Sequence, residues 1–350
     1  SMAPTSGTCY VERVQSDEMR CQTYFAGFLS LLFASFLMLG AWSEAAAQEG
    51  GSSASDVDGA RQLTIAAVQF EVSEELLTSE ESYVRAVANA VGEAAGAGAD
   101  LVLFPEYAAA FLAAVPYSAE IAASRTLAGA LRRIAARPQE PTTLRKLFIE
   151  SAPEVLDRMD RIYGSLARRH NVHILAGTYF AASRGERGAL RLTNRAVVYA
   201  PTGRRSYEQD KVFLTPFERE LLGLESGRAT DADGFEVEDV EVGVTICRDT
   251  FFDIWDTLHE DRHVWVDIKA DGTRFDDVAR SRYFATIPER LEKSDVPFGV
   301  TVSLVGEFLD FFWEGMTSFV ASPGRELRML DSAPSYRRST VLVESIEVMQ

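Results

Sequence analysis

Short apolar runs alternate with longer amphipathic stretches along most of the chain. Residues 63–70 (LTIAAVQF) are apolar and rich in β-branched side chains, the pattern of a buried strand. Residues 79–95, rich in Ala, Val and Glu, predict a helix that ends in the Gly96/Gly98 region. A second short buried strand is expected at 100–104 (DLVLF), followed at once by Pro105 and Glu106. A strand–helix–strand opening of this kind points to an α/β layered fold. Residues 118–169 carry helical patterns interrupted near Pro138 and Pro141, strands follow at 173–179 and 194–199, and Pro201-Thr202-Gly203 reads as a turn. The second half repeats the alternation. Strands are expected at 240–246 (VEVGVTI, ending on Cys247), 264–269, 299–304, 319–321 and 339–344, with a helical stretch at 276–293 apart from Pro288. No repeat with a period of 20–50 residues is present, and no linker interrupts 62–350, which reads as one domain.

The N-terminus departs from this pattern. Residues 24–42 (YFAGFLSLLFASFLMLGAW) are apolar without a charge, Arg20 precedes them, and Ala45-Ala46-Ala47 follows as a small-residue cleavage site. This is the layout of an export signal over 1–47, with Met19 a possible native start. The expectation is an exported protein, periplasmic or secreted. A membrane anchor through 24–42 is the alternative, because the run is just long enough to span. Residues 48–61 are small, polar and Gly/Ser-rich, a spacer rather than core.

Charge removes some functions. The 350 residues are 47% hydrophobic and 25% charged, ordinary globular proportions, but the formal charge is −17. So acidic a chain does not suit nucleic acid or an anionic membrane, both of which need basic patches. Of the three cysteines, Cys9 and Cys21 fall in the leader, so an exported mature chain would keep Cys247 alone and form no internal disulfide. A lone cysteine usually behaves as a small hydrophobe; the surroundings of this one speak for chemistry.

Three stretches put a reactive side chain at or near the end of an apolar segment: LVLFPEY around Glu106, YEQDKVFLTPFERE around Lys211, and VGVTICRDTFF around Cys247. Strand ends of layered α/β folds deliver side chains into a cleft. Taken singly, such a Glu is usually solvated, such a Lys on the surface and such a Cys in the core. Together, Phe104-Pro105-Glu106, Lys211-Val212-Phe213-Leu214 and the segment from Gly243 to Asp249 (GVTICRD) resemble, in order and spacing, the three catalytic segments of the nitrilase (carbon–nitrogen hydrolase) superfamily. Ala67-Val68-Gln69, Asn194–Val198 before the Pro-x-Gly turn, and Trp313–Ser318 before Ser322-Pro323-Gly324 extend the resemblance over about 62–348.

The resemblance implies a four-layer α-β-β-α sandwich, pairing into a homodimer, and hydrolysis of a non-peptide C–N bond in a small linear amide or N-carbamoyl compound. It implies Cys247 as nucleophile, Glu106 as general base and acid, and Lys211 favouring the thiolate and, with the backbone N–H of Arg248, stabilising the oxyanion. A second glutamate of the family corresponds to Glu218, with Glu220 as the alternative if the loop register differs by two. Where the family commonly has Tyr or Asn after the cysteine, this chain has Arg248; its expected His is Phe213, and Lys269-Ala270-Asp271-Gly272-Thr273 replaces an Asn-Pro-Ser-type loop. Tyr107, Phe251 and Trp255 are aromatic candidates for the rebuilt pocket, and the helical material at 118–158 is longer than a minimal member needs, serving as a cap or a partner surface.

Rival chemistries are few. His259-Glu260-Asp261-Arg262-His263 is a literal H-E-x-x-H, the zinc-protease pattern, but it lies in a short charged segment squeezed between two strands, where chance matches are common. Its expected role is a solvated helix end. No metal site or cofactor is expected, and no nucleotide fingerprint is present. The other rivals are a thioester acyltransferase with an amine acceptor, a nitrile hydrolase, and a catalytically silent binding protein on the same fold.

Overall fold

The computed structural model describes residues 61–185 and 188–348. The expected leader at 1–47, the anchor alternative at 24–42 and residues 48–60 of the spacer lie outside the described residues. Among the described residues no helix is long and apolar enough to cross a membrane.

Strand β1 (Arg61–Val72) shows the principle of the fold. Alternate side chains of a strand point to opposite faces. Leu63, Ile65 and Ala67 enter one apolar cluster, while Ala66, Val68 and Phe70 enter another, so both faces are buried. Helix α1 (Glu80–Gly96) starts where Ser79 accepts a hydrogen bond from the Ser82 N–H, an N-cap satisfying one of the orphan donors of the first turn. β2 (Leu101–Leu103) follows. The long helical stretch then divides into α2 (Ser118–Ala122), α3 (Leu127–Ala135) and α4 (Leu144–His170), with Pro138 and Pro141 in the break before α4. β3 (His173–Arg184), β4 (Leu190–Tyr199) and β5 (Arg205–Asp210) continue the first sheet.

The second sheet begins with β6 (Phe235–Val237) and β7 (Val240–Ile246). Helix α5 (Ile254–Leu258) leads to β8 (Val264–Lys269). The expected 276–293 helix is two, α6 (Asp277–Phe284) and α7 (Ile287–Lys293). Pro288 sits in the first turn of α7, where its missing N–H costs nothing. β9 (Phe298–Phe308), β10 (Phe311–Trp313), β11 (Ser318–Ala321), β12 (Arg328–Ser332) and β13 (Thr340–Val348) end the chain.

Pairing gives a first sheet in the order β13-β1-β2-β3-β4-β5 and a second in the order β6-β7-β8-β9-β11-β12. The centres β1-β2-β3 and β7-β8-β9 are parallel, and the flanks are antiparallel. Between the sheets lies a dry core in which Ile65, Leu103 and Val198 of the first share a cluster with Val244, Val266 and Val302 of the second. The outer face of the first sheet is covered by α1 and α4 through Val87, Met159 and Tyr163. The outer face of the second is covered by α5 and α7 through Trp255, Ile287 and Leu291 packing near Trp265. The architecture is a four-layer α-β-β-α sandwich.

One junction ties the two sheets. The last three residues of β1 pair in parallel with β9, Phe70 opposite Leu304 and Val72 opposite Gly306. Gly306 has φ +106°, and a Cβ there would stand 2.2 Å from the Val72 carbonyl oxygen, so only glycine permits this approach.

Candidate active site

Glu106, Lys211 and Cys247 each leave the C-terminal end of a strand, two from the first sheet and one from the second. Glu106 follows β2 after Phe104 and Pro105. The turn is held from β3, where Gly177 (φ +69°) lets the backbone meet Pro105 so closely that a Cβ would lie 2.0 Å from its carbonyl oxygen. The neighbouring Thr178 hydroxyl accepts the Tyr107 N–H at 2.8 Å. Lys211 follows β5, and its own N–H donates to the Asn194 carbonyl at 2.8 Å. The buried Asp249 carboxylate clamps the next residues, accepting the N–H groups of Val212 at 3.2 Å and Phe213 at 2.7 Å. Cys247 ends β7 in the left-handed region, φ +55°, where the chain turns into a 3-10 segment, Cys247–Phe251. Its N–H donates to Asp267 Oδ1 of β8 at 3.2 Å. Left-handed backbone at a non-glycine residue is uncommon and marks a site held by its surroundings.

The charged side chains converge. Lys211 Nζ stands 2.7 Å from Glu106 Oε1 and 3.0 Å from Glu218 Oε1. Asn194 Nδ2 donates to the same two oxygens at 2.9 and 3.0 Å. Glu218 also accepts from the Tyr107 hydroxyl at 2.8 Å and from the Thr215 N–H at 2.8 Å. Glu106 Oε2 accepts the Ala270 N–H at 3.1 Å, and the Glu106 carboxylate and the Cys247 thiol feel each other's charge. Glu106, Lys211 and Glu218 are buried, whereas Cys247 as a residue keeps some solvent exposure. Between the two glutamates of the loop the structure chooses Glu218; Glu220 is exposed.

Two carboxylates and one ammonium share a dry site, so they do not all hold ordinary charges. Burial raises the Glu106 carboxyl to about 7; Lys211 opposes the shift and Glu218 adds to it. Burial also works against ionisation of Glu218, but Lys211 and the Thr215 N–H outweigh it and hold that carboxyl below its usual range. Lys211 stays protonated, because Glu106, Cys247 and Glu218 together overcome the cost of burying its charge. The Cys247 thiol is pushed up by its enclosure and by Glu106, against the pull of Lys211 and Lys269. Lys211 favours the thiolate, as expected, but enclosure and Glu106 outweigh it, so the attack needs a base.

Other expectations fall differently. The Arg248 guanidinium lies over the Phe252 ring at 5.7 Å, and Phe252 stacks on Phe213, the residue in the expected histidine's place, at 3.6 Å. The Tyr107 hydroxyl is committed to Glu218, so it positions that carboxylate. Phe251 is 40% exposed and flanks the Lys269 ammonium, which is 5.3 Å from its ring. Trp255 is no pocket residue: it is fully buried beneath the second sheet with Ile287 and Leu291. The H-E-x-x-H residues do not share a helical face, since α5 ends at Leu258. The His259 ring is buried between Trp255 and Trp265, which pushes its pKa down to about 3, while His263 Nδ1 accepts the Glu241 N–H at 2.9 Å.

Sequence reading missed Asp267, Thr178 and the bonding of Asn194. Asp267 had a signal, a carboxylate inside an otherwise apolar strand, which demands a partner. Its partners are the Cys247 N–H and the Lys269 ammonium, 2.9 Å from Oδ2 at an angle outside hydrogen-bond geometry.

The family model for carbon-nitrogen hydrolases matches residues 64–255 and so takes in Glu106, Lys211, Glu218 and Cys247. The chain belongs to this family. As a carbon–nitrogen hydrolase it is an enzyme that acts on C–N bonds. Its fold is similar to that of an amidase from Nesterenkonia sp., at TM-score 0.58 and 14% identity, covering 84% of this chain and 94% of that one. It is also similar to a double mutant of the Nesterenkonia sp. AN1 amidase in complex with acrylamide (TM-score 0.57, 12% identity, 81% and 90% covered). A third similar structure, a single mutant of the same amidase, shows covalent addition of the acetamide moiety of fluoroacetamide at the active-site cysteine (TM-score 0.57, 13% identity, 82% and 91% covered). No curated relative matches this carbon–nitrogen hydrolase by sequence.

Proposed function

We propose that this carbon–nitrogen hydrolase cleaves a small linear amide or N-carbamoyl compound through a thioester on Cys247. The observation that carries the reading is a buried, mutually bonded Glu106–Lys211–Glu218 cluster set beside an enclosed Cys247 thiol that feels the charges of Glu106 and Lys211. A general base is most effective with a pKa near the working pH, and Glu106 at about 7 meets that condition. As the sulfur attacks the amide carbonyl, the Glu106 carboxylate takes the thiol proton. The carbonyl oxygen becomes an oxyanion beside the Lys211 ammonium and the N–H of Arg248, which lies in the first turn of the 3-10 segment. Glu106 passes its proton to the leaving nitrogen, and the C–N bond breaks. Glu106 then takes a proton from water, which attacks the thioester and releases the carboxylic acid and the thiol. Glu218 and the Tyr107 hydroxyl do not touch the reacting atoms in this scheme; they hold Lys211 in place.

The reading is supported by the fold shared with amidases, one of which carries an acetamide moiety on its cysteine. It is tested by ammonia or amine release from a panel of amides, carbamoyl amines and nitriles, run with the chain and with Cys247→Ala. Turnover that falls at least about a hundredfold in the variant is the expected result for a covalent nucleophile. Turnover that survives in Cys247→Ala overturns the thioester. So does a wild-type chain that converts nothing and whose folded Cys247 resists iodoacetamide.

A further inference from the structure

Beside the charged cluster lies a second feature that the reaction above does not use. A half-open cavity of about 130 Å³ is walled by apolar side chains, among them Phe111, Phe148, Phe180, Leu222 and Trp313. Neither Cys247 nor Lys211 lines it, but Tyr107 and Phe217 of its wall are the chain neighbours of Glu106 and Glu218. The Tyr107 ring faces the cavity while its hydroxyl holds Glu218. The other hydroxyl on the wall, Tyr117, donates to Glu140 at 2.9 Å. Both hydroxyl protons on the lining are therefore already given away.

The far wall comes from the helical material at 118–158 that exceeds a minimal family member. Leu127, Ala130, Leu131 and Ile134 of α3 recur at the spacing of one helical face, and all four turn toward the cavity. Native interiors rarely leave voids larger than a water. This space is near the size of an engineered apolar cavity that takes up benzene, and it is open on one side.

We propose that the cavity binds an unsubstituted alkyl or aryl group of the substrate, so that the enzyme prefers amides with a hydrophobic tail over acetamide. This deepens the proposed amide hydrolysis and rests on it. Because the tail must pass Tyr107 before it reaches the cavity, the first carbons add little and the later ones add most. Each methylene that enters should raise kcat/KM about fourfold, the effect of burying one CH₂. Octanamide carries six more methylenes than acetamide, and four of them entering the cavity set the two amides at least about a hundredfold apart.

The test is kcat/KM along two homologous series, straight-chain amides from acetamide to octanamide and acetamides N-alkylated with the same chains. A rise in the first series seats the acyl side in the cavity, and a rise in the second seats the amine side. Either supports the proposal if Ala114→Phe, which fills the cavity from its wall, lowers the octyl-to-acetyl ratio at least about thirtyfold. Leu131→Trp repeats the filling from α3 if the first variant does not fold. Equal or falling rates in both series, with acetamide still cleaved, overturn the tail pocket and leave amide hydrolysis standing. If no amide is cleaved, calorimetry with octanamide decides: binding that the filled variants lose supports an alkyl pocket, and no binding overturns it.

Discussion

Replacing Glu218 with glutamine removes one negative charge from a cluster of two carboxylates and one ammonium, and the structure sets the size of the effect. Oε1 of Glu106 and Oε1 of Glu218 both contact Lys211 Nζ, at 2.7 and 3.0 Å, so they stand no farther apart than about 5.7 Å, the two contacts laid end to end. At an effective dielectric of about 20, like charges at that distance repel by about 3 kcal/mol, or about two pH units. Glu218 is one of the causes holding Glu106 at about 7. In Glu218→Gln the Glu106 carboxyl should therefore fall toward pH 5, with Lys211 left to it alone. If Glu106 must be ionised to accept the thiol proton, the acid limb of kcat/KM moves down by one to two pH units. The assay is a pH–rate profile on whichever amide the wild type cleaves, paired with a profile of Cys247 alkylation by iodoacetamide. Stability should drop as well, by about 1–3 kcal/mol, because the glutamine amide group meets the Thr215 N–H donor instead of accepting it. A limb that stays near pH 7, or moves upward, in a folded variant would refute the placement of Glu106 as the base coupled to Glu218.

Three further outcomes are expected. Gly177→Ala should lower the melting temperature by several degrees and reduce turnover together, since its Cβ would collide with the Pro105 carbonyl at 2.0 Å and displace the turn that presents Glu106; an unchanged melting curve would refute the contact. Lys269→Gln should slow alkylation of Cys247 at pH 8–9, because Lys269 is one of the charges that pull the thiol down; a faster reaction would contradict that. Denaturation as a function of pH should show stability falling as pH rises from about 4.5 to 7. Burial raises Glu106 and Asp249 to about 7 in the folded chain, so across that window the folded state holds protons that the unfolded state has lost. The contribution is full below the unfolded values and gone above about 7, up to about 4 kcal/mol for each group; Asp249→Asn should remove its share of the slope.

What the sequence made legible follows from where the side chains point. Residues 240–246 and 264–269 are read correctly as strands because both faces are buried and most positions of each run are apolar. Glu106 and Cys247 stand out because each is a reactive group placed where an apolar segment stops, whereas Lys211 follows a polar strand and stands out through the resemblance of its segment. β5 and β12 were not legible. β5 is a flanking strand of charged residues in which only Tyr207 and Gln209 are buried, and β12 lies mostly exposed. Trp255 misled for the opposite reason: an aromatic eight residues past the nucleophile reads as a pocket wall, but α5 turns it under the sheet. Distances through space were the least accessible. Nothing in the spacing of Asn194, Thr215 and Asp267 announces that one amide spans two carboxylates, or that a β8 aspartate holds the nucleophile's own backbone.

The junction of β1 with β9 bears on how the enzyme tolerates change. Glu106 is delivered by one sheet and Cys247 by the other, so the gap between base and nucleophile is an inter-sheet dimension, as the span of a caliper is set by its pivot rather than by its tips. That pivot is a three-residue ladder where Gly306 lies against the Val72 backbone. Loops around the cleft are therefore free to diverge and reshape the pocket without altering the reacting distance. A side chain introduced at Gly306 would spread the jaws.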